Sequence, residues 1–338
     1  MGNPSRSLII GMDEAGYGPN LGPLIVGATA WEVPSDVPAE FDLWHAFTGI
    51  VAQTAPAQRA HIQIADSKQV YTPGKGLNNL EAGVLSAMLL QNRCESSADD
   101  DHARPAVEDR PLPVTLSELV ERVAIGGFEP LRLEPWFAEG CMRIEGLPAD
   151  SRPQAWRQSC RSQGIALPAM RCDVVLTRRF NDLTRSQDSK GRALSEISLK
   201  LLRHVWDECQ ADQYQHVLIL ADKHGGRNRY HEFLPILFGD QFIRALRESR
   251  ESSRYRVGNA EIRFETKSER HLPVALASML CKYVRELSME HFNQFWCSRQ
   301  PGLKPTAGYP LDAVRFKQEI AALQERLGIA TDDLWRER

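Results

Sequence analysis

The stretch Gly11-Met12-Asp13-Glu14-Ala15-Gly16-Tyr17-Gly18-Pro19-Asn20-Leu21-Gly22-Pro23 constrains the fold more than any other part of the chain. It joins two apolar runs, Leu8-Ile9-Ile10 and Leu24-Ile25-Val26-Gly27-Ala28. The second continues to Val33 with Thr and Trp and reads as a strand. Short apolar runs joined by a Gly/Pro turn predict an antiparallel hairpin. Two adjacent carboxylates then sit at the end of the first strand. Side chains on a strand alternate faces, so Asp13 and Glu14 splay unless the chain bends there, and the glycines and prolines supply the bend. Acidic groups held this way bind a divalent metal or do acid–base work.

Further along, Asp66-Ser67-Lys68-Gln69-Val70 leads into a turn-rich stretch, and a helix is predicted from Asn79 through Leu89. Residues 95–113 carry many Ser, Asp and Pro residues and read as an exposed loop, with Asp99–Asp101 a solvated acidic run. Residues 114–173 have short apolar patches without a clear period. The expected organisation is a core of residues 1–91 and 173–338, with 92–172 an insertion decorating it. Val174-Val175-Leu176 reads as a strand, Leu194 to Cys209 as an amphipathic helix, and Val217-Leu218-Ile219-Leu220-Ala221 as a buried parallel strand ending on Asp222. Pro273 to Phe295 reads as a long helix whose Ala275, Ala277, Ser278 and Cys281 suit close packing.

Asp222 opens Asp222-Lys223-His224-Gly225-Gly226-Arg227, at the carboxyl end of a buried strand, where open α/β sheets place ligands. Taken singly, such an Asp also serves as a turn or helix cap. Glu269, just before the long helix, is a third acidic candidate, and its structural alternative is interaction with the helix N-terminus. Glu265 competes with it.

These blocks, in this order, resemble ribonuclease HII and the wider ribonuclease H type 2 group. Asp13-Glu14-Ala15-Gly16-Tyr17-Gly18-Pro19 is similar to the family's DE-x-G-x-G-P opening, Asp66-Ser67-Lys68 to its D-S-K block, and Leu220-Ala221-Asp222 to the strand ending in a catalytic Asp. Pro273 to Lys282 is similar to its small-residue helix, and Gly308-Tyr309-Pro310 to its C-terminal G-Y block. The resemblance spans about residues 7–90 and 174–320. It implies a ribonuclease H-like α/β fold, with a mixed central sheet, antiparallel first strands and flanking helices. It also implies a metal-dependent endonuclease that hydrolyses the RNA strand of RNA/DNA hybrids, or ribonucleotides embedded in duplex DNA.

On that resemblance Asp13, Glu14, Asp222 and Glu269 are the catalytic and metal-holding set for two Mg²⁺ or Mn²⁺ ions. Asp13 would bridge, Glu14 and Asp222 would hold the leaving-group side, and Glu269 the nucleophile side. Hard cations prefer carboxylate oxygens, and several carboxylates are needed to offset two ions. Gly16, Tyr17, Gly18, Ser67, Lys68, Lys223, Arg227, Lys282 and Tyr309 are the expected nucleic-acid contacts. Two positions depart from the pattern. Tyr17 stands where the family has Arg in G-R-G, and Thr306-Ala307 stand where it often has His-Lys. The first removes an Arg–phosphate contact while leaving the backbone donors of Gly16 and Gly18 able to read a 2′-hydroxyl.

Composition narrows the alternatives. The apolar share of 42% and charged share of 25% are ordinary for a globular chain. No run is long enough to span a bilayer, and Met1–Arg6 is too polar for a secretory leader. Seven scattered cysteines form no C-x-x-C pair, which argues against a disulfide framework or zinc site and for a reducing cytoplasm. A net charge of −3 neither requires nor forbids a nucleic-acid partner, because a nuclease needs only a local basic surface. A dinucleotide loop at Gly16–Gly22 is disfavoured by Pro19, Pro23 and the strand that follows. Two rivals keep the fold: a non-catalytic or differently specific nucleic-acid binder, and a nuclease acting on DNA junctions. A monomer is the default expectation, with no protein partner legible.

Overall fold

The computed structural model describes residues 6–34, 41–54, 61–72, 74, 76–91, 111–138, 143–147 and 152–337. The acidic run Asp99–Asp101 lies outside them. Strand β1 (Ser7–Ala15) pairs antiparallel with β2 (Leu24–Val33), in the hairpin that the two apolar runs predict. The chain continues through α1 (Leu43–Ala46), a two-stranded parallel ladder of β3 (Val51–Ala52) and β4 (Ile62–Gln63), α2 (Ser67–Val70) and α3 (Asn78–Met88). Helices α4 (Leu116–Val123), α5 (Pro135–Ala138) and α6 (Arg152–Gln163) lead to β5 (Ala166–Val175). Then come α7 (Thr177–Gln187), α8 (Lys190–Glu208), β6 (His216–Asp222) and α9 (Pro235–Phe238). Strands β7 (Arg244–Glu248), β8 (Ser252–Val257) and β9 (Ala260–Glu265) precede the long α10 (Leu272–Arg299), α11 (Pro310–Arg326) and α12 (Thr331–Leu334).

Seven strands form one mixed sheet in the order β5-β2-β1-β6-β9-β8-β7. The first three in sequence are antiparallel, while β6 runs parallel to both β1 and β9. This is the mixed α/β arrangement expected, with antiparallel first strands and helices on both faces. One face packs Ile9, Ile25, Leu218 and Leu220 against α10 and α3. The other packs Leu8, Ile10, Met12, Ile219 and Ala221 against α8 and α9. Both faces of the central strands are covered, which is why β1 and β6 read as continuous apolar runs. No described helix is long and apolar enough to cross a membrane.

Parts of the segment 92–172 pack against the core. Strand β5 pairs with β2 from Leu24↔Val175 to Glu32↔Ala166, so residues 166–172 lie in the sheet. Trp156 on α6 stacks on Trp31 of β2 with ring centroids 6.2 Å apart, and Trp136 on α5 meets Phe292 of α10 at 5.0 Å. The apolar patches without period include the helices α4, α5 and α6, which bury two to four side chains each.

Candidate active site

Glycine brings the sheet and α10 together. A Cβ on Gly11 would stand 2.3 Å from the Pro273 carbonyl carbon, and one on Gly27 would stand 2.6 Å from Cys281 Sγ. Only glycine at these two strand positions lets the small-residue face of α10 lie on β1 and β2. Thr29 Oγ1 donates to the Pro273 carbonyl at 2.8 Å, and Cys281 Sγ donates to the Asp13 carbonyl at 3.3 Å. Asp13 is thereby buried at the carboxyl end of β1, beside Ser278.

Strand β6 runs parallel to β1 and ends on Asp222, so both strands deliver carboxylates to the same end of the sheet. The Ser268–Arg270 helical turn after β9 approaches Asp222. The backbone N–H and the hydroxyl of Ser268 both donate to Asp222 Oδ1, at 3.4 and 3.3 Å. Lys267 enters that turn at φ 58°, which re-aims the chain and brings Glu269 towards the other acids.

The four acids perturb one another. Burial, then Glu14 and Glu269, hold the Asp13 carboxyl well above the usual range, against a hydrogen bond from Ser278. Burial pushes Glu14 up to about 7, with Asp222 and Glu269 adding to the rise and Lys68 opposing it. Burial also raises Asp222, against the Ser268 hydrogen bonds and Lys68. Glu269 is raised by burial and by Asp222 and Asp66. Burial disfavours the charged Lys68 ammonium, but Asp66, Glu269, Asp13 and Asp222 outweigh it and raise its pKa. The centre is thus short of positive charge, with Lys68 its recurring cation. As the side chains stand, no three or more His, Cys, Asp or Glu among the described residues form a ready metal-holding group. Glu265 faces different neighbours. A hydrogen bond from His271 lowers its pKa, and it pairs with Arg270.

Lys68 is delivered by α2, where Asp66 caps the helix by accepting from the Lys68 N–H at 3.0 Å. Ser67 is buried and receives a hydrogen bond from the Ser278 hydroxyl at 3.1 Å, which fastens α2 to α10. Gly16 adopts φ 90°, and a Cβ there would meet Arg285 Nε at 2.6 Å; Gly18 faces open space. Tyr17 is half-buried, with the Lys190 ammonium 4.6 Å from its ring centroid. Tyr309 is 53% exposed at the start of α11, and Gly308 is tied to the hairpin loop by Asn20 N–H donating to its carbonyl at 2.8 Å.

Not every expected contact faces outwards. Lys223 is buried, and its ammonium donates to the carbonyls of Arg227 and Ser249, to Asn228 Oδ1 and to Ser253 Oγ, at 2.7–3.1 Å. It is an internal fastener and is not available to a phosphate. Lys282 bonds Glu286 at 2.6 Å and stacks over Tyr71, and Arg227 pairs with Glu232 at 3.3 Å. Thr306 is a turn residue: its hydroxyl donates to Asp312 and accepts from the Gly308 N–H.

Sequence reasoning missed the residues that brace the loop. Arg336 is buried and its side chain donates to the carbonyls of Gly16 and Pro19, while its backbone N–H donates to the Asn20 carbonyl and its carbonyl accepts from Asn20 Nδ2. Nothing in its local sequence marks it, since its partners lie more than three hundred residues away. Ser268 and Ser278 were legible only as neighbours of motif residues. A cavity of about 830 Å³ at the β5 edge, lined by Glu134, Asp173 and Arg179, includes none of the four acids.

The fold and the site together define a mixed α/β protein with an acidic centre where two parallel strands end. No family model and no curated protein matches the chain. Solved structures do. A chain of the PCNA:RNase HII complex from Archaeoglobus fulgidus matches at 13% identity and TM-score 0.38, over 98% of this chain and 94% of that one. Ribonuclease H2 from Pyrococcus horikoshii OT3 matches at 12% and 0.39, over 97% and 92%. Bst-RNase HIII in complex with Mn²⁺ matches at 15% and 0.41, over 97% and 66%. These likenesses carry no residue-level argument, and the functional reading rests on the site itself.

Proposed function

We propose that this chain is a divalent-metal-dependent endonuclease that hydrolyses the RNA strand of RNA/DNA hybrids, or ribonucleotides embedded in duplex DNA. The observation that carries the reading is the convergence of Asp13, Glu14, Asp222 and Glu269 where the parallel strands β1 and β6 end, beside Lys68, with each carboxyl raised chiefly by burial. Carboxylates packed so that each resists ionisation have unmet demand for positive charge, and hard oxygen donors in that state suit Mg²⁺ or Mn²⁺. Such ions, when bound, supply charge neutralisation at a phosphodiester and acidify a water.

The chain's own residues do the rest. Asp13, Glu14, Asp222 and Glu269 would hold the ions, with Ser278 orienting Asp13 and Ser268 orienting Asp222. Lys68 offers a positive point beside the reacting phosphate. The backbone donors of Gly16 and Gly18 are the candidate readers of a 2′-hydroxyl, and Tyr309 has the exposure to stack on a sugar or base. Tyr17 in place of Arg leaves the preferred substrate open to measurement.

The test is nicking of a DNA duplex containing one ribonucleotide, and of a full hybrid, with Mg²⁺ or Mn²⁺. Cleavage leaving 5′-phosphate and 3′-hydroxyl ends, abolished by Asp13→Asn and Asp222→Asn, is expected. Cleavage that survives both substitutions would sink the reading. Tight binding without cleavage under any divalent metal would favour a non-catalytic binder, and equal cleavage of all-DNA substrates a nuclease of other specificity.

A further inference from the structure

The far edge of the sheet carries an arrangement of charge that the fold alone does not account for. On β8 and β9 the residues Tyr255, Val257, Ala260, Ile262 and Phe264 are buried in the core shared with α8 and α9. Side chains alternate along a strand, so Arg254, Arg256, Glu261 and Arg263 project from the opposite face. Arg263 is in register with Leu220, and Glu265 with Asp222. Leu218 and Leu220 belong to the core on the α10 side, so the arginines lie on the sheet face that Asp222 continues.

Strand β7 extends the same face. Arg244 pairs with Arg256 and Arg247 with Arg254, while Arg254 pairs in turn with Arg263. Residues three apart on a regular strand point to opposite faces. The register shift between Ala245 and Arg247 is a bulge that returns Arg247 to the side of Arg244. Five arginines therefore share one face with two carboxylates of β9: Glu261, which receives hydrogen bonds from Arg254, Arg256 and Arg263, and Glu265, which is engaged by Arg270 and His271. Arg244 and Arg247 form no ion pair among the described residues, and every residue of β7 is exposed. Like charges directly opposite across strands destabilise a sheet. Here the chain sets arginine against arginine three times over.

We propose that the exposed arginine face of β7, β8 and β9 binds the phosphate backbone of duplex nucleic acid flanking the acidic centre. Neighbouring strands are about 4.8 Å apart, so the patch runs from one to three strands, roughly 5–15 Å, beside the strand that ends in Asp222. A polyanion lying there relieves the cross-strand repulsion. The buried Lys223 ties the two regions into one piece: it follows Asp222 directly and its ammonium grips Ser249 and Ser253 of the β7–β8 hairpin. The proposal rests on the nucleic-acid reading of the acidic centre, but it concerns binding and not cleavage.

The test is fluorescence anisotropy of the full chain with labelled 30-base-pair duplexes, one RNA/DNA hybrid and one all-DNA, in metal-free buffer across a salt series. The doubly substituted Arg244→Gln/Arg247→Gln protein is compared with the unsubstituted one. The expected result is affinity reduced about tenfold on both duplexes, with the slope of log K against log salt smaller by about 2, since each lost phosphate contact removes about 0.9. Thermal stability should be unchanged or raised, because repulsion has been removed. Unchanged affinity and slope on both duplexes would overturn the proposal while leaving the nuclease reading intact. Loss of binding in a chain that cleaves nothing would sustain the arginine face and discard the nuclease reading.

Discussion

Glu14 gives the sharpest prediction. Its carboxyl is pushed from 4.5 to about 7 by burial and by Asp222 and Glu269. At about 1.4 kcal/mol for each tenfold, that elevation amounts to about 3 kcal/mol. The side chain keeps some contact with solvent, so this figure is a ceiling. The sign follows from linkage. Between pH 4.5 and 7 the folded chain holds a proton that the unfolded chain has released, so metal-free stability falls as pH rises through that window. The unfolding entropy of a 338-residue chain is about 0.7 kcal/mol/K, which converts the loss to roughly 4–5 °C in Tm between pH 4.5 and 8. Calorimetry of metal-free protein at several pH values reads it directly. Glu14→Gln should flatten that part of the slope and raise Tm at pH 8, and millimolar Mg²⁺ at pH 8 should recover most of the loss in the unsubstituted chain. Identical slopes for the two proteins would refute the argument that Glu14 is held against ionisation by burial and its acidic neighbours.

Three further substitutions test how the centre is built. Gly11→Ala would drive a methyl into the backbone of Pro273 and Val274, and should cost about 1–3 kcal/mol or more in urea unfolding together with activity, because α10 carries Ser278. Lys223→Met abandons four acceptors of a buried ammonium and should lower stability by about 2–3 kcal/mol in the same assay, whereas a surface phosphate contact would leave stability unaltered. Arg336→Ala frees the Gly16 and Pro19 carbonyls, and on the proposed function should raise KM for a ribonucleotide-containing duplex more than it lowers kcat, since it loosens the Gly16–Pro19 loop and leaves the carboxylates in place.

The parts of the fold legible in the sequence were those where pattern and burial coincide. Strands β1, β2 and β6 announce themselves because both faces are covered, and α10 does so because its small residues recur where the sheet comes closest. Strands β7, β8 and β9 were not visible. Their outer face carries Arg and Glu, so only every second residue is apolar, and a bulge breaks even that alternation. The helices before β5 were not legible because each is short or mostly polar and buries only two to four side chains, such as Trp136 and Trp156. At the site, Asp13, Glu14 and Asp222 followed from strand ends, and Lys68 from its motif. Lys223, beside Asp222 in its block, is expected as a nucleic-acid contact. Only three-dimensional contact with Ser249 and Ser253 reveals it as internal.

The central claim is that the four acids form a divalent-cation site. Titration of Mn²⁺ into the metal-free protein, followed by calorimetry and by loss of the free-ion electron paramagnetic signal, tests it without reference to turnover. Binding should be present in the unsubstituted chain, weakened at least about a hundredfold by Asp13→Asn or Asp222→Asn, and unchanged by Glu265→Gln, whose carboxylate is engaged by Arg270 and His271. Equal Mn²⁺ affinity in the Asp13→Asn and Asp222→Asn proteins would contradict the account.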